Sequence, residues 1–124
     1  MKIFNYINGI FYVLYGLFGA ALPRSMADIM GWDLSLLGLH QTRAISCAMA
    51  ALGAILLLVI SQGRDQKLIT MMIIFVTLSF AAGRCIGILV DGAGPSQTVY
   101  EIIFEICLAA LGAGLIWWSD RKTA

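Results

Sequence analysis

Four apolar runs, each close to 20 residues long, constrain this chain more than any other feature of its sequence. They cover 3–22, 40–61, 67–90 and 97–118, and they stop at Pro23, "SQGRDQ", "DGAGPS" and "SDRKTA" respectively. A helix rises 1.5 Å per residue, so each run matches the roughly 30 Å hydrocarbon layer of a bilayer. Lipid offers the backbone no hydrogen-bond partner, which leaves helices and closed barrels as the only spanning structures. The runs lack the two-residue alternation of a barrel strand. Composition agrees. Of the 124 residues 60% are hydrophobic and 12% charged, with a mean hydropathy of +0.90, whereas soluble domains carry about 25% charged residues. A soluble domain this small buries too little of its surface to hide so much apolar material. The expected fold is therefore all-α: a single integral membrane domain over 1–124, built as an antiparallel four-helix bundle.

Lysine and arginine placement gives the expected direction. Lys2, Arg64, Lys67, Arg121 and Lys122 flank the termini and the second connection. The first connection has Arg24 against Asp28 and Asp33, and the third, 91–96, has no base. Both termini are thus expected on the cytoplasmic side, with Trp117 and Trp118 as an interfacial anchor beside Arg121 and Lys122. The first run resembles a secretory signal, but at about 20 residues it exceeds the 7–15 of a signal core. It is expected to stay as a membrane anchor. In "PRSMADIMGW", Ser25 with Asp28 three residues on suggests an N-cap. Met26, Ile29, Met30 and Trp32 then form one apolar side of a short interfacial helix.

Arg43, Arg84, Glu101 and Glu105 are the charges within the expected spans rather than at their ends. At mid-membrane a charged side chain costs about 2.5–3.5 kcal/mol, so each needs an explanation. Arg43 lies about 5 Å beyond His40, Arg84 about 10 Å from Asp91, and the glutamates about 6 and 12 Å beyond Gln97. With alternating helix directions, all four fall in the outer half of the membrane. Glu101 and Glu105 stand at i and i+4 on one side of the last helix. Two carboxylates so placed repel each other when both are charged. Arginine's planar fork suits a carboxylate, so Arg43 and Arg84 are expected to reach this pair and neutralise it. His40, Tyr12, Tyr15 and Asp91 are expected to extend the cluster into a small polar pocket opening outward. The simplest purpose is a clasp that fixes helix positions; the alternative is a site for a ligand, ion or proton.

Other features say less. Cys47, Cys85 and Cys107 lie in apolar stretches without a CxxC, and read as small buried side chains rather than disulfide or metal ligands. "GRCIG" (83–87) is a GxxxG and reads as a packed helix face. "AALGA" occurs at 50–54 and 109–113. A repeat of this kind would relate two hairpins by an axis along the membrane normal.

"YGLFGAALP" with "MGW" following, Arg43 one turn into the second span, and "GRCIGILVDGAGPS" with Glu105 ten residues after Pro95 together resemble an uncharacterised family. It consists of small bacterial four-helix inner-membrane proteins, classed as a domain of unknown function and loosely similar to DoxX-like proteins. The resemblance covers nearly the whole chain and implies a fold and a membrane location, not an activity. The family tends to have Asn-Glu before the first arginine and Tyr-Gly-Gly after it. Here the stretch reads "HQTRAISCA", and Glu101 looks like an added carboxylate.

Three functional classes follow. The expected one is a non-catalytic membrane protein, a structural or accessory subunit of a larger membrane complex, with the bilayer, such a complex or a second copy as its partners. The second is a small-solute or proton-coupled carrier, or a ligand-binding membrane protein, using the same network. The third, a redox enzyme, finds no CxxC, and one histidine cannot supply bis-histidine ligation. No metal or cofactor is expected. A net charge of +1 argues against nucleic acid as a partner, which would need a concentrated basic patch.

Overall fold

The structure, a computed structural model, describes residues 1–92 and 96–123. Among these residues it contains five helices and no strand: α1 (Lys2–Ala21), α2 (Pro23–Met30), α3 (Leu36–Ser61), α4 (Gln66–Asp91) and α5 (Ser96–Thr123). Four helices are long and apolar enough to cross a membrane: Lys2–Ala21, Leu36–Ser61, Gln66–Asp91 and Ser96–Lys122. Large apolar side chains such as Leu14, Phe75, Leu89 and Phe104 point outward, as lipid allows and water does not.

Helix ends follow local chemistry more than hydropathy. α3 starts at Leu36, four residues before the expected 40, because the Ser35 side chain accepts from the Gly38 amide at 3.1 Å and caps it. At the start of α4, Asp65 accepts from the amides of Lys67 (2.8 Å) and Leu68 (3.3 Å). The short helix exists, but Ser25 is not its cap. It begins at Pro23, where the fixed φ of proline suits a first helical position, and no side chain caps it. It ends at Gly31, left-handed at φ 68, a conformation glycine adopts without a Cβ penalty. Its buried residues are Pro23, Met26 and Ala27, while Ile29 is exposed. Residues 93–95, within the "DGAGPS" stretch that ends the third run, lie outside the described residues.

The chain divides into two units. The first, Asn5–Arg64, holds α1 from Asn5 onward, α2 and α3. α1 and α3 run antiparallel, since Gly9 faces Gly53 and Leu57, while Gly16 faces Ala50 and Ser46. Here the backbones touch: a Cβ on Gly16 would lie 2.5 Å from the Ser46 carbonyl oxygen, and one on Gly53 would lie 2.6 Å from the Val13 nitrogen. Small residues permit this approach, and lipid-phase packing rewards it.

The second unit holds Met1–Phe4 and the chain from Asp65 onward. α4 and α5 also run antiparallel. Lys67 pairs with Asp120 at 2.7 Å, Ile74 meets Gly112, and Arg84 meets Glu101 and Glu105. Beside the Lys67 end, Arg121 and Lys122 lie over the rings of Trp117 and Trp118, at 3.8 and 4.2 Å. The "GRCIG" expectation fails. Nothing among the described residues lies within 4 Å of a Cβ built on Gly83 or Gly87, because α5 packs on another stripe of α4. The cysteines differ from expectation as well. All three are free thiols and exposed; on a lipid-facing surface a small apolar side chain needs no protein cover.

Candidate functional site

The inward stripe of α4 runs Ile69, Ile73, Thr77, Ala81, all buried, and then Arg84, partly buried. Each step is three or four residues, so Arg84 continues the face that the apolar residues present. On α5 the corresponding stripe runs Glu101, Glu105, Ala109, Gly112. Helical spacing alone therefore brings one guanidinium against two carboxylates. Arg84 Nε donates to Glu101 Oε2 at 2.7 Å, and Arg84 Nη1 donates to Glu105 Oε1. The guanidinium bridges two carboxylates instead of gripping one with its fork. The three side chains are 24%, 23% and 12% exposed for Arg84, Glu101 and Glu105. The Phe80 ring lies 5.9 Å from the guanidinium carbon, a cation–π contact one turn earlier on the same helix. Glu105 Oε2 is buried and has no hydrogen-bond partner among the described residues.

The other expected members of the cluster stand as follows. Arg43 is exposed on α3, and its Nη1 donates to the Ala20 carbonyl at the end of α1. That carbonyl is one of the orphaned groups of a helix end, and a cation satisfies it well. His40 is exposed on the first turns of α3, and Asp91, the last residue of α4, is exposed. Tyr15 is half-buried on α1, its ring stacked on Phe11 at 5.6 Å.

Tyr15 does line a cavity within the first unit, of about 90 Å³, with Met26, Trp32, Thr42, Ile45, Ser46 and Met49. Its walls are mostly thioether, aromatic and aliphatic, and no charged residue lines it. The expected polar pocket of His40, Tyr12, Tyr15 and Asp91 is therefore not this cavity; of that group only Tyr15 borders it. Tyr12 is instead buried against Gly53. Among the described residues, no three of His, Cys, Asp and Glu are grouped so as to share a metal ion.

Several buried polar residues escape a search for charges. Asn5 and Asn8 on α1, and Thr70 and Thr77 on α4, are almost wholly buried. Thr70 Oγ1 donates to the Gln66 carbonyl at 2.8 Å. Two amides at i and i+3 in an otherwise apolar helix are the available signal, since buried amides in lipid act as packing contacts.

A protein-family model described as a domain of unknown function (DUF4345) matches residues 1–118. The chain belongs to that family. No curated protein and no solved structure matches the chain.

Proposed function

We propose that this member of the DUF4345 family is a small, non-catalytic multi-pass membrane protein, a structural or accessory subunit of a larger membrane complex. The observation that carries the reading is the bridge from Arg84 on α4 to Glu101 and Glu105 on α5. It spends three charged side chains on fixing one helix against its neighbour. In this reading the four spanning helices form an antiparallel bundle in a bacterial inner membrane with both termini cytoplasmic, as the distribution of Lys2, Arg64, Lys67, Arg121 and Lys122 favours.

The test replaces Arg84 by Gln and by Lys. Breaking a buried ion pair from one side costs about 3–5 kcal/mol, because it strands the other charges. Arg84→Gln is expected to lose most folded protein, and Arg84→Lys to keep more of it. Wild-type protein extracted in mild detergent is expected to migrate as part of a larger assembly of defined composition. A solitary chain together with fully folded Arg84→Gln removes the reading.

The unpartnered Glu105 Oε2 favours a second reading, a proton-coupled carrier or ligand-binding membrane protein that uses the same cluster. It predicts that Glu105→Gln abolishes substrate-driven proton flux in vesicles and leaves the folded amount unchanged. Disappearance of the folded protein instead returns the cluster to a clasp.

A further inference from the structure

The cluster between α4 and α5 does not balance. Arg84 brings one positive charge to two carboxylates, so one negative charge is left over when all three are ionised. The oxygens tell the same story. Of the four that Glu101 and Glu105 offer, Arg84 takes Glu101 Oε2 and Glu105 Oε1. Glu105 Oε2 remains buried with no hydrogen-bond partner among the described residues. The charged groups that act on Glu105 are Arg84 from α4 and Glu101 from α5. An ionised oxygen shut away from both water and a donor is among the costliest arrangements in a protein, and it is normally relieved by a partner or by neutralisation.

We propose that Glu105 Oε2 is the seat of one exchangeable monovalent cation that brings its own hydrogen: a proton, or a small protonated amine. A bare metal ion fits poorly. Hard cations take about six or more oxygen ligands, and Arg84 already occupies two of the four carboxylate oxygens here. Arg84 holds the two carboxylates in place, and the cation supplies the second positive charge that the pair of acids calls for. The proposal rests on the clasp reading for its geometry and adds a ligand to it.

The test uses the full chain in phosphatidylcholine vesicles, treated with a lipid-soluble carbodiimide in amine-free buffer. This reagent adds to carboxyl groups that carry a proton, and peptide mass spectrometry reads the site. Glu105 is expected to be modified, more slowly at higher pH. Added ethylammonium at fixed pH distinguishes the two sources, with N-acylurea and ethylamide at Glu105 counted together because free ethylamine also captures the activated carboxyl. A several-fold fall in that total identifies an amine seat, and an unchanged total with a retained pH dependence identifies a proton seat. Glu101→Gln leaves one acid to one base, so modification of Glu105 is expected to fall several-fold. If that variant does not fold, the wild-type pH series decides alone. Absence of modification at Glu105 across pH 5 to 9, or a rate indifferent to both pH and amine, overturns the proposal. The clasp can survive that result, because its own test is the amount of folded Arg84→Gln.

Discussion

Replacing Gly16 by alanine is the sharpest test of how α1 meets α3. The added Cβ would lie 2.5 Å from the Ser46 carbonyl oxygen and 2.8 Å from Ala50 Cα, and it would also strike the Ala50 nitrogen. Carbon atoms reach their best separation at about 3.5–4.0 Å, so the helices must part by about 1 Å at this point. Backbone atoms cannot rotate away as a side chain would. The separation therefore propagates to Gly9 and Gly53, where the same two backbones also touch. Overpacking of this kind costs about 1–3 kcal/mol, against which alanine gains up to about 1 kcal/mol of helix propensity over glycine. Gly114→Ala supplies the control. It is also a helical glycine, yet nothing among the described residues lies within 4 Å of a Cβ built on it. Propensity cancels between the two variants and leaves the steric cost, about 1–3 kcal/mol, or a factor of roughly 5 to 150 in the folding equilibrium. The assay is reversible unfolding in mixed micelles as the fraction of dodecyl sulfate rises, followed by circular dichroism. Equal midpoints for Gly16→Ala and Gly114→Ala would refute the close seam.

Two further outcomes follow from local chemistry. Asp65→Ala removes the side chain that accepts from the Lys67 and Leu68 amides and is expected to lower stability by about 1 kcal/mol in the same titration, with Asp65→Asn nearly neutral. Cys47, Cys85 and Cys107 are free and exposed within the spanning helices. In vesicles they are expected to react with a lipid-soluble maleimide and to resist a charged one; fast reaction with the charged reagent would place them in water.

The spanning helices were legible because lipid leaves the backbone few choices, and runs of apolar residues near 20 record that directly. Their ends were less legible. Ser35 opens α3 and Pro23 opens α2 through single local contacts that hydropathy averages away. The meeting of Arg84 with Glu101 and Glu105 was readable from i, i+4 spacing and charge sign. The contact of Arg43 was not, since its acceptor is the carbonyl of Ala20 and every residue carries a carbonyl. Asn5 and Asn8 were overlooked because a search for charges passes over neutral amides. The GxxxG at 83–87 misled for a related reason. Two glycines at that spacing show that a helix can be approached closely, while the partner's own stripe decides where the approach occurs.

The recurring "AALGA" sharpens that last point. In each antiparallel pair its glycine faces the other long helix, and at a similar height. Gly53 faces the stretch from Gly9 to Val13 on α1, which begins at Lys2, and Gly112 faces Ile74 on α4, which begins at Gln66. The contacts themselves differ in kind. A Cβ on Gly53 would collide with the backbone of Val13 and Gly9, whereas one on Gly112 would meet the flexible side chain of Ile74 at 2.9 Å and the Phe4 ring at 3.3 Å. The α1–α3 pair thus brings backbones into contact at these glycines. At Gly112 the α4–α5 contact is made by side chains, and nothing among the described residues lies within 4 Å of a Cβ built on Gly83, Gly87 or Gly114. The α4–α5 pair also carries the bridge from Arg84 to Glu101 and Glu105, so charge is added to helix faces whose other members, Ile73, Thr77 and Ala81 on α4 and Ala109 on α5, are buried.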